Sequence, residues 1–187
     1  MLRRAGLNSG ELELLQRSLA GDLEAWGEIV KNYKQAVFGV AVAILRNRAD
    51  AEDATQEAFI RAYLKLRHYD LSRKFSTWLF TVAANVAKNM LRKRRREDPQ
   101  PKLHWAPDPA REAWREQMCQ VVREVVWSLP EIYRAPLVLR YWHELDISEI
   151  AQVLGLKPGT VKTRLHRGRA LVRAQLVERG VIQDVVV

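Results

Sequence analysis

The chain has 187 residues and a formal net charge of +9, from 31 Lys plus Arg against 22 Asp plus Glu. That balance favours a polyanionic partner, while an apolar share of 48% excludes a disordered basic tail. Cys119 is the only cysteine, which excludes an intramolecular disulfide and any cysteine-based zinc site; on its apolar–polar helical pattern it is expected to be a buried small hydrophobe.

Strand signals are nearly absent and helical periodicity runs almost everywhere, so the expected fold is all-α. Ser9 caps a first helix carrying Leu12, Leu15 and Leu19 and ended by Gly21. Asp22 caps a long second one, in which Trp26, Ile29, Val30, Tyr33, Val37, Phe38, Ala41, Ile44 and Leu45 recur at threes and fours. A third spans about 50–66, with Ala54, Ala58, Ala62 and Leu66 on its inner side. After the loop HYDLSRKF a fourth begins near Ser76, buries Leu79, Val82, Ala83, Val86 and Met90, and runs out into KRRRE.

From 97 to 111 the texture changes. DPQPKLHWAPDPAR holds four of the chain's seven prolines and no periodicity, the composition of an extended, flexible linker. Helical pattern resumes with Trp114, Met118, Val121, Val122, Val125 and Leu129. A further helix carries Tyr133, Leu137, Val138, Tyr141 and Trp142, and Pro136 inside it should kink it or delay its start. The expected organisation is two small helical domains, 8–96 and 112–180, joined by the Pro-rich linker at 97–111.

The run DISEIAQVLGLKPGTVKTRLHRGRALV at 146–172 reads as two short helices joined by a glycine turn. Asp146 and Glu149 form a capping-box pattern, and Ile147, Ile150, Ala151 and Leu154 make one apolar face. Gly155 sits where a left-handed residue ends the helix, and Pro158 suits the first turn of the next, whose buried side is Val161, Leu165 and Val172. The outward face carries Thr160, Lys162, Thr163, Arg164, His166, Arg167 and Arg169 with no acidic residue. An anchored helix with a wholly basic, hydrogen-bonding face suits the major groove, so this is a DNA-binding helix-turn-helix. Lys162, Thr163, His166 and Arg167 point one way and are the candidates for base edges; Arg167 suits a guanine, whose O6 and N7 a guanidinium engages together. Thr160 and Arg164, near the helix start and flank, are placed to hold phosphates.

Three blocks in this order and spacing resemble the extracytoplasmic-function sigma factors of the sigma-70 superfamily. RNRADAEDATQEAFIRAY at 46–63 looks like region 2.2, FSTWLFTVAANVAKNMLRKRRR at 75–96 like regions 2.3 and 2.4, and the stretch 129–172 like region 4. The resemblance implies a sigma-2-like bundle and a sigma-4-like helix-turn-helix domain. It also implies a protein that binds core RNA polymerase, directs it to −35 and −10 promoter elements and promotes DNA melting for transcription of stress-response genes.

Within that resemblance, Asp50, Glu52, Asp53, Gln56 and Glu57 form an acidic, polar outer strip that would dock on the clamp helices of the polymerase's largest subunit. Acids in a first helical turn also complement the helix dipole, which accounts for Asp50, Glu52 and Asp53 but poorly for Gln56 and Glu57. The −10 surface would comprise Tyr69, Lys74, Asn85, Lys88, Asn89 and Arg92, with Asn85 reading an extruded base, Tyr69 stacking on it and the cations holding the single strand. Arg140 matches a phosphate or base contact at the −35 element. Implied partners are core polymerase, through its clamp helices and the β flap, promoter DNA and an anti-sigma factor.

No cluster with catalytic or metal-ligand spacing stands out, so neither an enzyme nor a metal or other cofactor is expected. No apolar run is long enough to cross a bilayer, and MLRRAGLNSGELELL carries charges where a signal peptide needs its apolar stretch, so a cytoplasmic location is expected. A LuxR-type regulator would explain 130–180 equally well, but it leaves the acidic helix and the Asn85 segment without a role.

Overall fold

A computed structural model describes residues 9–97 and 115–182, with side chains in the second stretch from Gln120 onward. Most of the expected linker, the Cys119 side chain and the end of the VIQDVVV tail lie outside the described residues. The described chain is all-α: α1 (Ser9–Leu19), α2 (Leu23–Leu45), α3 (Arg48–Lys65) running into a 3-10 turn at Leu66–His68, α4 (Phe75–Glu97), α5 (Arg115–Ser128), α6 (Glu131–Tyr141), α7 (Ile147–Leu154) and α8 (Pro158–Glu178).

Local chemistry sets most of the boundaries. Asp22 accepts from the backbone N–H groups of Glu24 and Ala25 and so starts α2. α3 begins at Arg48, earlier than expected, because Asn47 takes the cap position and accepts from the Asp50 N–H. Pro136 neither delays nor ends α6, which starts at Glu131. The residue whose carbonyl loses its partner through Pro136 is Ile132, which faces solvent, so water can satisfy that carbonyl.

The packing follows from side-chain size. Ala51, Ala54, Ala58 and Ala62 are fully buried along α3, a smooth face that lets it lie close to α2 and α4. Leu79, Ala83 and Val86 of α4 complete that bundle, with Val82 and Met90 half-buried beside them. In the second half α8 crosses α6 at Gly168, where a Cβ would come within 3.0 Å of Leu137 Cδ1. The two halves are not held apart: one core runs from Leu15 through Leu165, with α6 against α2 and α7 against α4.

Candidate nucleic-acid interface

The helix-turn-helix is built as its sequence prescribes. Asp146 accepts from the Glu149 N–H at 2.8 Å and Glu149 Oε2 accepts from the Asp146 N–H at 2.9 Å, a complete capping box. Ser148 donates to Asp146, and these hydrogen bonds hold the Asp146 carboxyl below its ordinary pKa. Gly155 ends α7 at φ 64°, a left-handed conformation that an L side chain resists. Pro158 then opens α8. Val161 and Leu165 are buried beneath α8, while Lys162, Thr163, His166, Arg167 and Arg169 face solvent. Thr160 and Arg164 are half-buried. Arg140, exposed at the end of α6, donates to the Leu145 carbonyl at 2.9 Å and so braces the turn before α7.

The −10 candidates divide into two sets. Asn85, Asn89 and Arg92 lie exposed on α4, and Arg92 donates to the Asn89 side chain. Lys74 and Lys88 are engaged by the other half of the molecule. Lys74 Nζ lies 3.0 Å from Glu149 Oε1, which also accepts from Thr77 Oγ1 at 3.1 Å. Lys88 Nζ donates to the Leu154 carbonyl at 2.7 Å, at the negative end of α7, and burial lowers its pKa.

Tyr69 corrects an expectation. It is 7% exposed, its ring packs against Phe75 and Trp78, and its hydroxyl donates to the Arg73 carbonyl. Burial pushes its phenol up to about 12. An apolar cage and a backbone partner satisfy both parts of this side chain, so it presents no platform for an extruded base.

On α3 the expected acidic strip loses one member. Asp50 pairs with Arg94 of α4 at 2.7 Å, a tie between helices rather than an open docking group. Glu52, Asp53 and Gln56 are exposed and Glu57 half-exposed; Glu52 and Glu57 also pair with Arg48 and Arg61 on their own helix. Beside them Ile60 and Leu64 are 56% and 66% exposed, large apolar side chains left in water.

Sequence reasoning missed the residues that join the halves. Arg134 of α6 is 1% exposed; its Nε donates to the Ala43 carbonyl at 2.7 Å, Nη2 to Ile44 at 3.4 Å and Nη1 to Leu129 at 2.5 Å. It therefore caps the C-terminal turn of α2 from the other half of the molecule. Burial first, and Arg46 second, push its guanidinium down to about 9, still charged at neutral pH. His143, in the turn after α6, lies half-buried against Phe80 and Gly39. The only sequence signal for Arg134 was a cation on the inner face of an amphipathic helix.

Residues 29–97 match the family description Sigma-70 region 2, and residues 119–172 match Sigma-70, region 4. The ECF RNA polymerase sigma factor SigW of Bacillus subtilis is 35% identical over 175 residues, covering 83% of this chain and 91% of that protein. The chain belongs to the extracytoplasmic-function (ECF) RNA polymerase sigma factors. The sigma-H factor of Pseudomonas aeruginosa is 32% identical over 174 residues, with 86% of this chain and 90% of that protein covered. In fold, the chain is similar to the sigma factor RpoE of Bartonella quintana, solved with the anti-sigma factor NepR. That match has a TM-score of 0.71 at 23% identity and covers 80% of this chain and 95% of that one. It is also similar to CnrH, solved with the cytosolic domain of CnrY, at a TM-score of 0.66 and 25% identity, with 91% and 99% covered. A LuxR-type regulator is not favoured for this ECF sigma factor, because the family match extends through region 2.

Proposed function

We propose that this sigma factor binds core RNA polymerase through α3, reads the −35 element with α8 and opens the −10 element along α4, in the cytoplasm. The observation that carries the reading is the exposed, acid-free face of α8 on a helix-turn-helix closed by its own capping box and by Gly155. Lys162, Thr163, His166 and Arg167 would meet base edges, and Thr160, Arg164 and Arg140 phosphates or the groove margin. Asn85, Asn89 and Arg92, joined by Lys74 and Lys88 once α7 releases them, would hold the −10 strand.

For polymerase docking, Ile60 and Leu64 beside Glu52, Asp53, Gln56 and Glu57 supply an apolar centre with a charged rim, the make-up of a protein interface. An apolar groove of about 410 Å³ between α5, α6 and α8, lined by Val122, Leu137, Trp142 and Leu176, is the seat we assign to the flap. Because RpoE of Bartonella quintana was solved with the anti-sigma factor NepR, an anti-sigma factor is proposed here too.

The test is reconstitution with purified core polymerase, followed by sequencing of the genomic DNA that the complex retains. A two-part element spaced for two domains is expected, and failure of the chain to co-elute with core enzyme would sink the reading. Charge reversal at Asp53 and Glu57 together should abolish co-elution with helicity unchanged, since both side chains reach solvent. Retained binding would move the interface off α3.

A further inference from the structure

The groove between α5, α6 and α8 leaves large apolar side chains in water. Tyr141, Trp142 and Ile182 line it at 55%, 43% and 38% exposed, beside Val122, Val172 and Leu176. The ionisable groups on its lining are Arg169 and Arg173, with no carboxylate among the described lining residues. A groove of about 410 Å³ with that composition suits an apolar segment that carries one negative charge.

The end of α8 leads the chain there. Gly180, at φ 68°, takes a left-handed turn; its N–H donates to the Val177 carbonyl and the Val181 N–H donates to the Leu176 carbonyl, both at 2.9 Å. This pair of hydrogen bonds closes α8 and turns the backbone back on it. Arg179 pairs with Glu124 of α5 at 3.4 Å, which ties the turn to the opposite wall of the groove. Ile182 then lines the groove itself. The residues that follow, QDVVV at 183–187, carry three valines and a single charged side chain, Asp184. Five extended residues reach about 17 Å. The α8 wall from Leu176 back to Arg169 rises only about 10 Å, so the segment is long enough to cover it.

We propose that residues 183–187 are the groove's resident ligand: Val185, Val186 and Val187 lie among Trp142, Val172 and Leu176, and Asp184 faces the arginine rim at Arg169. A weak apolar segment suffices, because a short tether holds it at an effective concentration on the order of millimolar. A polymerase element that enters the same groove displaces the tail. With free-groove fraction f, its apparent dissociation constant is raised by 1/f. That consequence rests on the assignment of the groove to the flap; the placement of the tail does not.

Two measurements on the full chain test the placement. A photoreactive benzoylphenylalanine incorporated at Val186 should join residues of α6 and α8 in the same chain, around Trp142 and Val172, as read by mass spectrometry. Products on helices outside the groove would overturn the proposal. So would products that link two chains, which would make a second copy the occupant. Val186→Asp should expel the tail and, with helicity kept, tighten binding of the dye anilinonaphthalene sulfonate about threefold or more. The dye's rings suit the groove and its sulfonate suits the arginines. Asp184→Lys, which sets a cation against Arg169, should move dye binding in the same direction. Unchanged dye binding in both variants would sink the proposal. Core polymerase should also bind Val186→Asp more tightly, by a similar factor. A gain for the dye without a gain for polymerase keeps the tail in the groove and removes the flap assignment alone.

Discussion

Arg134 is a charged side chain doing the work of a core residue. It reaches three backbone carbonyls, two of them at the end of α2 where no helical N–H remains to meet them. Arg134→Met should keep the volume but leave the Ala43 and Ile44 carbonyls unpaired, at a cost of about 1–3 kcal/mol. Urea unfolding of the full chain measures this; an unchanged midpoint would mean that water replaces the guanidinium without loss. Arg167 poses a different question, because it is exposed on the recognition face. Arg167→Ala should weaken −35 binding by about 1–3 kcal/mol and relax the preference at one base pair. A loss equal on every sequence would make it a phosphate contact.

At the scale of elements, what was legible in the sequence is what local chemistry decides. The Asp146 and Glu149 capping box, the left-handed Gly155 and the α8 start at Pro158 need only neighbours a few residues apart, and all are present. Removing the cap tests how far that local logic stabilises α7: Asp146→Ala should cost about 1 kcal/mol and weaken DNA binding through a frayed α7. Thermal unfolding without any shift would show that packing alone holds the helix. The α3 boundary was misplaced because Asn47 and Asp50 are both competent caps, and the choice between them is made when Asp50 turns to Arg94 across 44 residues. Tyr69 was misjudged for a related reason. Its neighbours in sequence, HYDLSRKF, describe a loop, while its burial comes from Phe75 and Trp78 folding back over it. Arg134, His143 and the contact of Lys88 with α7 all depend on which helices meet, which no local period encodes.

At the scale of the molecule, the two halves share one core, and that contact contains a group able to respond to pH. His143 packs on Phe80 of α4 and against Gly39 of α2, neither of which titrates, and its buried Nε2 has no hydrogen-bond partner among the described residues. Burial lowers its pKa from the ordinary 6.5. The closed form therefore binds fewer protons than an opened one, in which the imidazole returns to water. Closure is then fully stable above the ordinary value and loses stability as the pH falls from there through the lowered value. Acid should open the chain. Scattering of the full chain from about pH 8 to about 5.5 should show expansion at the low end, with helicity retained. His143→Phe keeps an aromatic ring against Phe80 and removes the proton site, so its scattering should be flat over the same range. Expansion of that variant at the same pH as wild type would assign the response to another group and leave His143 as packing only.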